Sequence, residues 1–154
     1  MGTTIALIAA AMVVVLTGFG ASIGVMWVQQ AAAGVIGEEP EKYGKTLVLQ
    51  LVPTTSALYG FVIAFLILLN TVLGTDGGIY STDQGLHVLI ACLPIALVGF
   101  LQTMLQARVC VACVNMIGKN GELSGRALTM AIFSEIFTLF AFIVSILSVL
   151  RIGS

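Results

Sequence analysis

"ALTMAIFSEIFTLFAFIVSILSVL", residues 127–150, carries one charged side chain, Glu135. About 20 consecutive apolar residues suffice to cross a bilayer as a helix, so this run reads as a membrane span. A charge at the bilayer centre costs at least ~2.5–3.5 kcal/mol on insertion scales. A chain that places a carboxylate there must supply partners for it or a use for it, and the rest of the sequence is read with that requirement in view.

The composition agrees with a membrane solvent. The 154 residues are 59% hydrophobic and 8% charged, whereas a soluble domain is about a quarter charged. The apolar runs are long and unbroken rather than alternating, which favours helices over a barrel. The formal net charge of −1 offers no basic excess for a nucleic-acid partner. Cys92, Cys110 and Cys113 lie in apolar helical sequence and fit free thiols better than a disulfide framework. His87, the sole histidine, is far in sequence from Cys110 and Cys113, which argues against zinc. The N-terminal run is longer than a signal peptide and no basic segment precedes it, so a retained helix is expected.

The expected fold is an all-α membrane protein with four spans, residues 3–36, 46–73, 86–118 and 127–152. The segments "GEEPEKYGK", "GTDGGIYSTDQG" and "GKNGELSGR" separate them. The first and third helices are long enough, at 1.5 Å per residue, to protrude from one membrane face. A single offset of 81 residues aligns the two halves without gaps. Gly18, Val28, Ala31, Ile36 and Gly37 return as Gly99, Val109, Ala112, Ile117 and Gly118, and Leu58, Phe61 and Leu66 return as Leu139, Phe142 and Leu147. This is the mark of a duplicated two-helix hairpin, residues 1–78 and 79–154. Glu135 then stands opposite Thr54, so the pair of hairpins keeps one carboxylate. Lys42, Lys45, Arg108, Lys119 and Arg126 gather in or toward the first and third loops, against Arg151, Asp76 and Asp83 on the other side. The positive-inside rule therefore puts loops 37–45 and 118–126 in the cytoplasm and both termini outside it.

An ionisable residue inside a span is a functional candidate by default; the plain alternative is a protonated carboxyl hydrogen-bonded between helices. The second span carries "LVPTTSALYG", residues 51–60. Pro53 lacks an N–H and breaks the helical ladder. Thr55 and Tyr59 share a face, and Ser56 adds an oxygen. On the third span Gln102 and Gln106 are again four apart, and an amide in hydrocarbon needs a partner. Hard cations take oxygen ligands of this kind, and one negative charge suits a monovalent ion. Thr and Ser in such helices also bond back to their own carbonyls, Pro53 has a bland role as a kink, and Arg108 can snorkel to water. The stretch "GFGASIG", residues 18–24, permits close helix approach, either as bilayer packing or as an inner ring where first helices of many copies meet.

The chain resembles the membrane rotor subunit, the c/K-type proteolipid, of V-type rotary ATPases, particularly the duplicated four-helix form of bacterial sodium-pumping enzymes. The resemblance covers nearly the whole chain and rests on "PEKYGKTLVLQLVPTTSALYGFVIAFLI" (40–67), "LPIALVGF" (93–100), "LQAR" (105–108) and the carboxylate in "FSEIF" (133–137). It implies a homo-oligomeric ring of identical subunits in lipid, in a bacterial plasma membrane. A stator membrane subunit supplies a basic residue, and a central-stalk subunit meets the cytoplasmic loops. The chain is then not catalytic alone, and no G-x-x-x-x-G-K-[ST] pattern occurs in it. Carried over residue by residue, the resemblance makes Glu135 the ion-carrying carboxylate. Its companions are Gln106, Thr55 and the Val52 carbonyl, with Tyr59 and Pro53 behind them. Ser56 stands where sodium-binding members have a glutamine; a water has room to replace that amide. The transported ion is expected to be Na⁺, since Gln106 is usually missing from proton pumps, with H⁺ alone as the alternative. Three rival classes fit less well. A small multidrug antiporter carries its Glu on the first helix and shows no duplication. A glutathione-using membrane transferase needs several buried basic residues. A purely structural four-helix protein leaves Glu135, Gln106 and Thr55 unexplained.

Overall fold

A computed structural model describes residues 1–73 and 80–152. Helix α1 spans Gly2–Glu38, and a 3-10 turn at Pro40–Lys42 leads into α2, Tyr43–Leu51. A second 3-10 turn, Val52–Thr54, separates α2 from α3, Thr55–Leu73. Helix α4 runs Thr82–Lys119, and a 3-10 turn at Gly121–Leu123 precedes α5, Ser124–Ile152. Four stretches are long and apolar enough to cross a membrane: Gly2–Glu38, Pro40–Thr71, Thr82–Lys119 and Gly121–Ile152. At 37 and 38 residues, α1 and α4 extend about 55 Å each, well beyond a hydrocarbon core of ~30 Å. The expected hairpin boundary at residues 78 and 79, and Asp76, lie outside the described residues. Helix α4 starts four residues earlier than the apolar run because Ser81 and Gln84 form a reciprocal capping box.

The duplication is structural as well as sequential. The turns Pro40–Lys42 and Gly121–Leu123 are separated by the same 81 residues. The N–H groups of Glu39 and Asn120, also paired by that offset, close their helices on Val35 O and Met116 O. Among the described residues, the helices of the two halves part at Pro53. Pro53 cannot donate in the ladder and its segment tightens into a 3-10 turn; its counterpart Ser134 can donate, and α5 continues unbroken.

With lipid tails as apolar as leucine, helices associate through close packing and hydrogen bonds rather than through the hydrophobic effect. Helix α1 meets α4 along small residues: Ala6, Ala9, Ala10, Val13, Thr17, Gly20, Gly24, Val28 and Ala32 are all buried. A Cβ on Gly20 would lie 2.9 Å from the Phe100 carbonyl oxygen, and one on Gly24 3.2 Å from Ala107 Cβ. The small-residue stretch thus serves packing within the chain at Gly20 and Gly24, while Gly18 faces open space. Two apolar clusters result. One is built around Val13, Ile63, Ile67, Val88 and Ile95. The other is built around Val28, Leu49, Cys110, Val114 and Ile117. Between them in sequence lie the buried polar residues Thr17, Ser56, Thr103, Gln106 and Thr138. At the loop end, buried Lys42 donates to Glu39 Oε1 at 2.6 Å and to the Gly118 carbonyl at 2.7 Å, tying the first turn to the end of α4.

Gly20→Ala is expected to lower the melting temperature in detergent, by about 1–3 kcal/mol of stability, because the obstructing atom is backbone and cannot rotate away. Gly44→Ala, where an added methyl meets nothing within 4 Å, is expected to leave stability unchanged or raise it slightly through helix propensity. Thermal unfolding of both variants followed by circular dichroism checks the contrast.

Candidate functional site

Glu135 lies eleven residues into α5, about 17 Å along the helix axis. Its carboxylate is half-buried and faces α4. Gln106 on α4 is buried, and its Nε2 donates to Glu135 Oε2 at 2.5 Å. Gln102, one turn earlier, donates through Nε2 to the Ser134 carbonyl at 2.9 Å. The i, i+4 spacing therefore brings two amides to one stretch of α5, one to the carboxylate and one to the backbone beside it. Further along the same helix pair, the Ile95 N–H donates to Ser145 Oγ at 3.2 Å and the Cys113 thiol to the Ala127 carbonyl at 3.3 Å. These bonds hold the register of α5 on α4, and the position of Glu135 follows from that register.

The third wall is α3. The ring of Tyr59 stacks on Phe142 of α5 with centroids 4.8 Å apart, and its hydroxyl lies within electrostatic reach of the Glu135 carboxylate. All three cysteines are free and buried.

The segment around Pro53 is arranged by its own hydrogen bonds. The Val52 carbonyl accepts both the Thr55 N–H and, at 2.8 Å, the Thr55 hydroxyl. Buried Ser56 donates to the Pro53 carbonyl at 3.3 Å. The hydroxyl protons of Thr55 and Ser56 are thus committed to their own helix, and their oxygen lone pairs remain for other donors or for a cation. Arg108 stands apart from this group: it is exposed, and its guanidinium lies 5.8 Å from the centroid of the Trp27 ring.

Three buried side-chain polar atoms have no hydrogen-bond partner among the described residues: Gln106 Oε1, Glu135 Oε1 and Thr138 Oγ1. Buried polar atoms are normally satisfied, and two of these orphan oxygens lie on residues that touch each other, Gln106 and Glu135. Both are acceptors, and a cation or a donated proton meets their need. Thr138 was not singled out from sequence; its signal was the i, i+3 spacing from Glu135, which places both on one face. No cluster of three His, Cys, Asp or Glu occurs among the described residues. The available donors are one carboxylate and neutral oxygens, a set suited to a hard ion.

A family model describing the C subunit of ATP synthase matches the chain twice, over residues 8–67 and 89–148, which repeats the 81-residue offset. The chain is 39% identical over 150 residues to the V-type sodium ATPase subunit K of Enterococcus hirae, covering 97% of this chain and 93% of that protein. It is 27% identical over 140 residues to the A-type ATP synthase subunit K of Methanocaldococcus jannaschii, covering 91% of this chain and 59% of that protein.

Gln106→Leu removes the donor to Glu135 and leaves a buried carboxylate oxygen without it, a loss of about 1–3 kcal/mol. Gln106→Leu/Glu135→Leu, which removes both polar partners, is expected to recover most of that loss. Thermal melts of the two variants and of Glu135→Leu complete the double-mutant cycle.

Proposed function

The chain belongs to the family of the ATP synthase C subunit, and on that footing we propose that it is the ion-carrying rotor subunit of a V-type ATPase, moving one Na⁺ per chain on Glu135. The observation that carries this reading is the pair of buried, unpartnered oxygens, Gln106 Oε1 and Glu135 Oε1, on side chains already in contact. Sodium, the substrate here, would take those two oxygens together with lone pairs of Thr55 and Ser56. The Val52 carbonyl would join them once it gives up its bond from the Thr55 hydroxyl. Tyr59 and Pro53 act as positioning residues: Tyr59 faces the carboxylate from α3, and Pro53 shapes the turn that presents Val52 and Thr55. Neutralisation is the physical point. A carboxylate with a monovalent cation carries no net charge and can turn past lipid; a bare carboxylate pays the insertion cost of a charge. A basic residue on a stator subunit would compete for the carboxylate and release the ion.

The V-type sodium ATPase named for the Enterococcus relative supports sodium as the cargo. Many copies would form a ring in a bacterial plasma membrane. Loops 37–45 and 118–126 would face the cytoplasm and meet a central stalk, which suits the tether made there by Lys42. A proton-only reading keeps one observation in its favour: the Val52 carbonyl already accepts two bonds from Thr55, so the site has no fully free backbone ligand.

Equilibrium binding of radioactive Na⁺ to the purified oligomer tests the proposal. One ion per chain is expected, abolished in Glu135→Gln and weakened by at least about 10- to 100-fold in Gln106→Leu, which removes a ligand oxygen together with the amide that orients Glu135. No saturable binding in the unmodified protein contradicts the sodium reading.

A further inference from the structure

Hydroxyls in membrane helices ordinarily give their proton to the carbonyl four residues back. Thr17, Ser22 and Thr71 do so to Val13, Gly18 and Ile67, and Thr103, Thr129 and Ser148 to Gly99, Gly125 and Val144, at 2.5–2.9 Å. Thr138 departs from this habit. It is 1% exposed, and its hydroxyl has no partner among the described residues. The cause lies on the facing helix. The carbonyl four residues back from Thr138 belongs to Ser134, and the Gln102 amide donates to it at 2.9 Å. A carbonyl has two lone pairs, and inside a helix one of them takes the N–H four residues on. Gln102 takes the other, and the Thr138 hydroxyl is shut out of its usual bond.

The 81-residue offset places that hydroxyl. The counterparts of Gln102, Gln106, Glu135 and Thr138 are Ala21, Val25, Thr54 and Ala57. In the first hairpin these four side chains line one open groove. The hairpins share their turns at the same offset, so the same four positions of the second hairpin converge on one crevice. Two bonds agree with this: Gln106 reaches the Glu135 carboxylate, and Gln102 reaches the carbonyl beside it. Side chains on a helix lean toward its N-terminus, so Thr138 overlies the turn that holds Ser134 and Glu135. The four positions also change together. Three of them carry alkyl side chains in the first hairpin; in the second they are two amides and a hydroxyl around the carboxylate.

We propose that the Thr138 hydroxyl supplies an oxygen to the cation at Glu135, and that Gln102 keeps it available by occupying the Ser134 carbonyl. The proposal rests on the reading of Glu135 as the ion carrier and adds two residues to it. A hydroxyl oxygen is a neutral, hard ligand. It fills part of the cation's shell beside Gln106 Oε1 and Glu135 Oε1 without disturbing the balance of one carboxylate and one Na⁺. Its proton has the Glu135 carboxylate, one turn back, as an acceptor. Gln102 is a positioning residue: its amide meets the backbone rather than the ion, and its effect on binding passes through Thr138.

Equilibrium binding of radioactive Na⁺ to purified variants of the oligomer is the test. Thr138→Val keeps the shape of the side chain and removes the hydroxyl; its affinity is expected to fall about 10-fold or more. Thr138→Ser keeps the hydroxyl and is expected to bind close to the unmodified protein. Gln102→Leu frees the Ser134 carbonyl, lets the Thr138 hydroxyl return to its own helix, and weakens binding by a similar factor. Gln102→Leu/Thr138→Val is then expected to bind no more weakly than the weaker single variant. A Gln102 that only held the helices together would give losses that add. Thr138→Ala reads the same hydroxyl should Thr138→Val not assemble. Unchanged affinity in Thr138→Val, or a Thr138→Ser as weak as it, overturns the role of Thr138; additive losses overturn that of Gln102. The Glu135 station survives either result while the unmodified protein binds one Na⁺ per chain, and falls only if that protein shows no saturable binding.

Discussion

A carboxylate in hydrocarbon is the constraint on which the rest of this structure depends. It is tolerable only when held, and the amide of Gln106 holds it from α4. That contact requires α4 and α5 to keep one register, which Gln102, Ser145 and Cys113 enforce along their length. It also requires α3 to lie close enough for Tyr59 to reach the same place, and the stack on Phe142 secures this. The close approach of α1 to α4 at Gly20 and Gly24 packs these helices with little room for side chains. The helix packing and the site are in this sense one arrangement, and the polar layer between two apolar clusters is where they meet.

Duplication followed by divergence explains the asymmetry. The two hairpins share turns, helix ends and glycine positions at a constant offset. They part at Pro53 and at Glu135. The first half has Pro53 and a 3-10 turn, which turns hydroxyls and a carbonyl into a compact group; the second has an unbroken α5 bearing the acid. Neither half holds both features. On the proposed reading the ion station is made by the first hairpin's turn and the second hairpin's carboxylate, so the duplicated chain, rather than a single hairpin, is the unit that carries one ion.

Much of this was legible in the sequence. Four spans, the repeat and the isolated Glu135 follow from hydropathy and spacing alone, because a membrane permits few alternatives to apolar helices. Gln102 and Gln106 were recognisable since amides in such helices demand partners. Their division of labour was not, because it depends on the rotation of α4 against α5. Thr138 escaped notice for the same reason: a threonine in a membrane helix usually bonds its own backbone, and only the packed structure leaves its hydroxyl unpartnered. The resemblance put the Val52 carbonyl among the ion ligands, and the 3-10 turn gives that carbonyl two donors from Thr55. The glycine-rich stretch was open to two readings, packing within a chain and packing between chains. Gly20 and Gly24 are used within the chain, and Gly18 faces the outside.

The central claim, that Glu135 carries a cation in this setting, is tested most directly by dicyclohexylcarbodiimide, which attacks protonated carboxyls embedded in membranes. The purified protein is labelled, the adduct mapped by mass, and the rate followed against pH with sodium, with potassium and with neither. The account predicts an adduct at Glu135 whose formation sodium slows at fixed pH and potassium does not. A rate set by pH alone would contradict sodium carriage and leave a proton rotor; a Glu135 that never reacts would contradict ion carriage altogether.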